Sequence, residues 1–452
     1  MDILEILKKP ESKNLEFKRD LSSPDGMLKT VISFANTAGG LIIIGVDDGN
    51  HHVRGIQTPL QLEERISNLI SDNIHPKLIP NIEIIPWRNT YLVAIEIYPS
   101  SSRPHFLKSV GFSKGVYVRI GSSNRVADSN LIDELRRMSR GESFDEQPFP
   151  ELDINSIDFK VATELFADFR KLKKSDLETL TLVTNYQNRL VPTNAGIILF
   201  GIKRNKYFPN AWIHAGRFSG KTKTNITESI EIHSYPVLAI KEAIAFIEKH
   251  LFSSIKITKT ERVDEWKIPQ IAVRETIINA IAHSDYSQKG SPIRIAIYDD
   301  KIEIENPGLI PFNLTLDDLY RGISKLRNPV IARILNELKL IERWGSGIRR
   351  IIESCENAGL KPPLFEEIGA HFRVTLYTEQ VNKPTLDEIE KQILNLLQKD
   401  KGHSTTMIAH QIGISPRAAR TRLLTLIAKG LVSEIGSSPQ DPRKKYYLRK
   451  GT

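Results

Sequence analysis

Residues 274–286, Arg-Glu-Thr-Ile-Ile-Asn-Ala-Ile-Ala-His-Ser-Asp-Tyr, constrain the fold more than any other stretch of the chain. Their periodicity predicts a helix with two unlike faces. Glu275, Asn279 and His283 recur at i, i+4 and i+8, within an arc of about 80° at roughly 3.6 residues per turn. Ile277, Ile278 and Ile281 fall on the opposite side. One side is therefore expected in a core, and the other carries a carboxylate, an amide and an imidazole in a row. An ordinary amphipathic helix with a solvated face fits the same spacing, so the flanking residues must separate the two readings. Residues 293–298 read as a strand, Asp299-Asp300 as a turn, and 302–305 as a returning strand that ends at Asn306-Pro307-Gly308. Farther on, Gly345-Ser346-Gly347 opens another helix.

This order resembles the ATP-binding fold shared by gyrase, heat-shock chaperones of the gyrase type, histidine kinases and mismatch-repair ATPases (GHKL). In that family an Asn on the first helix holds Mg²⁺ against the phosphates, and a Glu four residues earlier positions the attacking water. The resemblance gives those roles to Asn279 and Glu275, with ATP and Mg²⁺ as cofactors. The chemistry is coherent. Mg²⁺ takes oxygen ligands and keeps waters, so one amide oxygen beside phosphates suffices. A carboxylate one turn away can polarise water. His283 belongs to the same nucleotide wall, as a structural partner of Asp285 or the backbone rather than a catalytic acid. Gly345 and Gly347 would let backbone N–H groups approach phosphate at a helix start. The adenine-reading Asp of the family is here Asn306, followed by Pro307 and Gly308. An Asn amide can still pair with adenine. Arg327-Asn328-Pro329 lies where the family has its mobile lid. Bound nucleotide would serve either hydrolysis or a switch.

Composition narrows the setting. A length of 452 residues suggests about three domains. No apolar run reaches membrane-spanning length, and the amino-terminal residues lack the long apolar stretch of a signal peptide. The one cysteine, Cys355, excludes an intramolecular disulfide framework and a Cys-based zinc site, and is expected in a core. A cytoplasmic protein is expected. Residues 382–452 hold 13 Lys/Arg against 6 Asp/Glu, so this short tail carries most of the net charge of +9. That asymmetry favours nucleic acid as a partner.

Residues 1–140 read as one α+β domain. Strand 15–18, a helix marked by Leu28, Val31, Ile32 and Ala35, and the apolar strand 41–46 come first. Helix 60–72, strands near 82–86 and 91–98, a strand and turn at 115–121 and helix 128–139 complete it. Glu16-Phe-Lys18, Ser33-Phe-Ala-Asn-Thr-Ala-Gly-Gly40, Gly45-Val-Asp-Asp48 and Val118-Arg-Ile-Gly-Ser-Ser123 together resemble the Schlafen/Alba-type nucleic-acid-binding domain. The resemblance implies binding of DNA or RNA. Lys18, Arg19, Arg119 and Arg125 are the phosphate candidates. Nuclease members of the group carry a Glu, a second Glu five residues on, a Lys two beyond it and an Asp after the apolar strand. Glu11, Glu16, Lys18 and Asp47 or Asp48 stand at those places, and the resemblance implies a metal held by Glu11, Glu16 and Asp47. Solvated carboxylates and a turn before Gly49 are the plainer reading.

Residues 141–189 are expected to be a linker and connecting helices, with helix 156–172 among them. The GHKL-like α/β sandwich is expected at 190–378, including strand 211–218 and helix 235–250. No Gly-x-x-x-x-Gly-Lys-Ser/Thr loop occurs, so a P-loop helicase motor is unsupported. The tail, 382–452, reads as a winged helix-turn-helix. Leu386, Ile389, Ile393 and Leu396-Leu397 mark its first helix, 405–412 the second, and Ser415-Pro416 starts the third. That third helix presents Arg417, Arg420 and Arg422, with Leu423, Leu424 and Ile427 expected inward. A hairpin of 431–435 with 445–449 forms the wing and carries Arg443, Lys444 and Lys445. Arg417, Arg420 and the wing cations are the duplex-DNA candidates. A basic protein-interaction winged helix is the alternative. The whole is an α+β multidomain chain, read first as an ATP-responsive, DNA-binding transcriptional regulator. The second reading is an ATP-gated, metal-dependent nuclease for RNA or DNA, with a role in defence. Winged-helix regulators commonly pair by symmetry, so a homo-oligomer stays open.

Overall fold

The computed structural model describes residues 3–49, 51–251, 256–257, 262–263, 266–341, 346–381, 386–397, 402–435 and 444–448. Its contacts divide the chain into two units, Met1–Gln380 and Val381–Thr452.

The first unit begins with strand β1 (Leu15–Lys18), helix α1 (Pro24–Asn36) and strand β2 (Gly40–Ile44). Helix α2 (Pro59–Asn73) and the hairpin of β3 (Asn81–Trp87) and β4 (Thr90–Ile97) follow. The strands form a four-stranded sheet in the order β1-β2-β4-β3. Only β1 and β2 run parallel, as their connection through α1 requires. Strand β2 is buried on both faces, which explains its unbroken apolar run. Ile42 and Ile44 pack with Met27, Val31 and Ile70 of the helices, while Ile43 packs with Leu15 and Phe17 of β1. A hairpin of β5 (Tyr117–Ile120) and β6 (Ser123–Val126) leads to helix α3 (Ser129–Arg140). Asp128 caps α3 through the Leu131 N–H, and Gly141 ends it in the left-handed conformation, at φ 71°.

The connecting segment after the polar stretch 141–153 packs into the next domain. Ile157, Ala162, Phe166, Leu172, Leu177 and Leu180 enter the same core as the following domain. The helix expected over 156–172 is confined to Phe159–Phe166. The Asp176 carboxylate accepts from the Lys173 N–H at 2.7 Å and turns the chain there.

Strands β7 (Ile213–Phe218) and β8 (Ile226–Ile232), helices α4 (Pro236–Leu251) and α5 (Gln270–His283), and strands β9 (Ile293–Ile297) and β10 (Lys301–Pro307) come next. Helices α6 (Pro329–Glu337) and α7 (Gly347–Asn357) precede the hairpin of β11 (Leu364–Ile368) and β12 (His371–Tyr377). The six strands form one sheet, ordered β8-β7-β9-β10-β12-β11, in which only β7 and β9 are parallel. Val237, Ile240 and Ile247 of α4 and Ile277, Ile278 and Ile281 of α5 bury against Ile295, Ile304 and Val374 of the sheet. Helix α7 packs on α5, and Cys355 is buried as expected.

The second unit holds helices α8 (Glu388–Leu397), α9 (Thr405–Ile412) and α10 (Pro416–Ala428) and the wing of β13 (Val432–Ile435) with β14 (Lys445–Leu448). Ser415 caps α10 through the Ala418 N–H. Ala419, Leu423 and Leu426 form its buried stripe at i, i+4 and i+7. Leu424, expected inward, is 54% exposed because it lies one position off that stripe.

Candidate functional site

Helix α5 is almost entirely buried, so its polar row is not a solvated face. Glu275 is only 4% exposed. Instead Glu275, Asn279 and His283 line a cavity of about 550 Å³. Its other walls are Ile304 and Asn306 of β10, the loop Leu309-Ile310-Pro311, one side of α6, Gly347 and Ile351 of α7, and Phe372 and Val374 of β12. A mostly apolar cavity of this size with a few convergent polar groups suits a small organic ligand.

The polar groups sit at distinct stations along the cavity. At the start of α7 the Glu275 carboxylate meets Arg350 at 3.2 Å. A Cβ on Gly347 would lie 2.3 Å from Glu275 Oε1 and 3.2 Å from Asn279 Nδ2. A side chain at 347 would therefore have to displace the end of the Glu275 side chain. The carboxylate occupies the approach to that helix start, where the sequence reading expected phosphate. Asn279 is half-buried, and its amide has no protein partner among the described residues. At the far end burial, reinforced by Arg327, pushes the His283 imidazole down to about 4, so it is neutral at pH 7. Asn306 is 4% exposed. Its Nδ2 donates to the Pro307 carbonyl at 3.0 Å, which orients the amide. Gly345 lies outside the described residues.

Two nucleotide candidates take other roles. Arg327 is buried in ion pairs with Glu134 and, at 3.9 Å, Asp285, and it donates to the Leu309 carbonyl at 2.6 Å. It braces the wall from behind and is not among the cavity's lining residues. Gly308 likewise backs onto Asp285 and Arg327. Asp285 is held by Ser287 and Gln288 as well as Arg327, so it serves this network. Among the described residues Lys325 is a lining cation that the sequence alone does not single out, whereas the Arg333 guanidinium, though its residue lines the wall, donates to the Thr179 carbonyl and Thr181 hydroxyl. The aperiodic apolar run after Asn-Pro-Gly was the available signal that a loop here walls a cavity.

In the amino-terminal domain the expected metal ligands are each engaged. Glu16 Oε1 pairs with Lys18 and Oε2 with Arg119, both at 2.6 Å. Glu11 accepts from the Phe17 N–H at 2.8 Å. Its carboxyl is pushed up, chiefly by burial and secondarily by Glu16 and Asp48. Asp47 pairs with Arg54 at 2.8 Å and approaches Arg19 at 3.9 Å. Among the described residues no group of three or more His, Cys, Asp or Glu is arranged to hold a metal ion. As the side chains stand, Glu16 and Asp47 are paired with cations and Glu11 with a backbone N–H. Arg119 is 1% exposed, wedged over the Phe34 ring and bonded to Ser12, Glu16 and Asn124, so it is a core residue rather than a phosphate contact. Arg19 and Arg125 are exposed; Lys18 is tied to Glu16. On the winged helix Arg417, Arg420 and Lys445 are exposed, Lys444 pairs with Glu434 at 3.0 Å, and Arg443 lies outside the described residues.

Three family models match this chain. "Schlafen, AlbA_2" covers residues 11–128, "Putative ATP-dependent DNA helicase recG C-terminal" covers 290–376, and "Winged helix-turn-helix DNA-binding" covers 386–433. The architecture is therefore a Schlafen/AlbA_2 domain, a RecG-C-terminal-type ATPase-like domain and a winged helix, in that order. These domains point to a DNA-binding, ATP-binding protein of the AlbA/Schlafen type. The ATPase-like match begins after α5, so the roles of Glu275 and Asn279 rest on geometry. Among solved structures, the DIP2311 protein from Corynebacterium diphtheriae is similar at 16% identity and a TM-score of 0.48, over 99% of this chain and 98% of that one. The N-terminal domain of a RecG-related protein from Nitrosomonas europaea is 23% identical, with a TM-score of 0.23, over 28% of this chain and 94% of that one. No curated protein matches the chain. No helix of the described residues is long and apolar enough to cross a membrane.

Proposed function

We propose that this chain is a nucleotide-responsive DNA-binding regulator whose α5–α7 cavity takes ATP. One observation carries the reading: the carboxylate and amide of the α5 row open into a largely apolar cavity of about 550 Å³. That layout suits a base-and-polyphosphate ligand, with apolar walls for the ring and separate polar stations for the base edge and the phosphates. In this reading Asn306 would meet the base edge and Asn279 the phosphates, with the start of α7 reached only once the Glu275 carboxylate moves aside. Mg²⁺ would enter with the nucleotide. Asn279 would supply one oxygen, and phosphates and water the rest, which suits an ion that seldom needs a protein cage. When bound, Mg²⁺ neutralises phosphate charge. Glu275 is the residue that would orient water, if its carboxylate leaves Arg350.

The test is calorimetric titration of ATP with and without Mg²⁺. Asn279→Ala should weaken Mg²⁺-dependent binding by about tenfold or more, the equivalent of one lost charge-assisted contact. Glu275→Ala should still bind and should lose any phosphate release. Wild-type protein that binds no adenine nucleotide sinks the reading. The metal-dependent nuclease has the pairing of Glu16 with Lys18 and Arg119 against it. Cleavage of RNA or DNA by the wild type in Mn²⁺, abolished by Glu16→Gln, would reinstate it.

A further inference from the structure

The loop between β10 and the short helix Leu316–Tyr320 faces two ways. Leu309, Ile310, Pro311 and Leu314 wall the cavity. Leu309 and Phe312 also belong to the core cluster of Val116, Val118, Ala127 and Leu135 in the Schlafen/AlbA_2 domain. Phe312 is 2% exposed, so this is a plug and not a surface contact.

Three polar ties pin the same loop to that domain. Lys13 Nζ donates to Glu367 Oε1 at 2.9 Å, and the same oxygen accepts the Ile310 N–H at 2.9 Å. Arg103 Nη1 donates to Asn313 Oδ1 at 2.8 Å and also to the carbonyl of Asn36. Asn36 itself holds His105 and Tyr117 together, so this tie reaches the centre of the domain. Arg327 joins the Leu309 carbonyl to Glu134 of α3. Packed apolar plugs and buried ion pairs have few intermediate arrangements, so a shift of one wall is passed on rather than absorbed.

We propose that the loop from Gly308 to Leu314 couples the cavity to the nucleic-acid domain, so that a nucleotide in the cavity changes the conformation of α3 and the β5–β6 hairpin. The proposal rests on the nucleotide reading above. Ligand contact with Leu309, Ile310 and Pro311 pushes on Phe312 and Asn313. Phe312 bears on Val116 and on Val118 of β5, and Asn313 on Arg103. By linkage, nucleic acid on the Schlafen/AlbA_2 domain then alters nucleotide affinity by the same factor, about fivefold or more for a coupling of ordinary strength.

Amide hydrogen exchange of the full chain with and without the ATP analogue AMP-PNP and Mg²⁺ tests this, beside calorimetric measurement of analogue binding. The expected result is altered exchange in 308–314 and also in 112–140. In the full-length double variant Phe312→Ala/Asn313→Ala, which leaves the cavity's lining residues unchanged, the analogue should still bind while the change stays within 266–377. Asn313→Ala alone is the milder check if the double variant is unstable. Exchange changes confined to 266–377 in the wild type overturn the coupling and leave the nucleotide reading standing. Changes in 112–140 that persist in both variants also overturn it, because the route is then another. No binding heat and no exchange change anywhere remove the nucleotide reading and the coupling with it.

Discussion

Arg119 and Arg125 stand on adjacent strands, yet their physics is opposite. Arg119 is enclosed beside Glu16, and the pair sits in the core of the amino-terminal domain. Removing one partner of a buried ion pair strands the other, which costs about 3–5 kcal/mol. Arg119→Ala should therefore lower the thermal midpoint clearly while leaving nucleic-acid affinity of the folded protein unchanged. Arg125→Ala should do the reverse, since its side chain is exposed. An Arg119→Ala protein that melts like the wild type and binds poorly would return Arg119 to the surface. The same lesson covers the motif that carried the resemblance. Ser33, Asn36 and Thr37 are fully buried and spend their side chains on Asn124, His105, Tyr117 and the α1 backbone. Those letters mark how the domain is held together, and the exposed cations around them do any binding.

Helix α6 shows how an element depends on a distant residue. Its N-cap residue, Asn328, provides no side-chain cap. Asp145, from the stretch expected as a linker, accepts the Val330 and Ile331 N–H groups at 2.8 and 3.0 Å. Asp145→Ala should cost about 2 kcal/mol or more, from a lost cap and buried amides left unpaired. Burial pushes the Asp145 carboxyl from 3.8 up to about 6, against the lowering effect of Ser143 and the two amides. A raised carboxyl holds its proton more firmly folded than unfolded. Its contribution is thus fully present below about pH 4, and is lost as pH rises towards about 6. Asp145→Asn has no such proton. Denaturant titrations should show the wild type losing stability relative to Asp145→Asn between pH 4 and 6. A difference that is flat, or that grows the other way, contradicts this assignment.

At the scale of the molecule, the winged helix forms its own unit with its own core. The exposed face of α10 carries Arg417, Arg420 and Thr421. Each phosphate contact contributes about 0.9 to the slope of log affinity against log salt. Arg417→Ala/Arg420→Ala should weaken binding to duplex DNA and flatten that slope by about two if both residues touch phosphate. Deleting residues 382–452 should remove most salt-sensitive duplex binding. Unchanged affinity and slope after deletion would make this unit a protein-interaction module. The Schlafen/AlbA_2 and ATPase-like domains, by contrast, share one unit, and the loop after Asn306-Pro307-Gly308 is built into both.

Local periodicity was enough to place the elements that bury one stripe or one face. Strand β1, helix α9 and the start of α10 stand where the spacing of apolar residues and the caps put them, because those signals act within a few residues. The polar row of α5 was legible for the same reason. That it faces a cavity instead of water was decided by α7 and β12, which arrive from far along the chain. Charge was the least legible property. Glu16 with Arg119, Arg327 with Glu134, and Asp145 with the start of α6 each join residues distant in sequence. Whether a charged side chain meets water, a phosphate or an opposite charge depends on what folds over it, and only the tertiary structure supplies that neighbour.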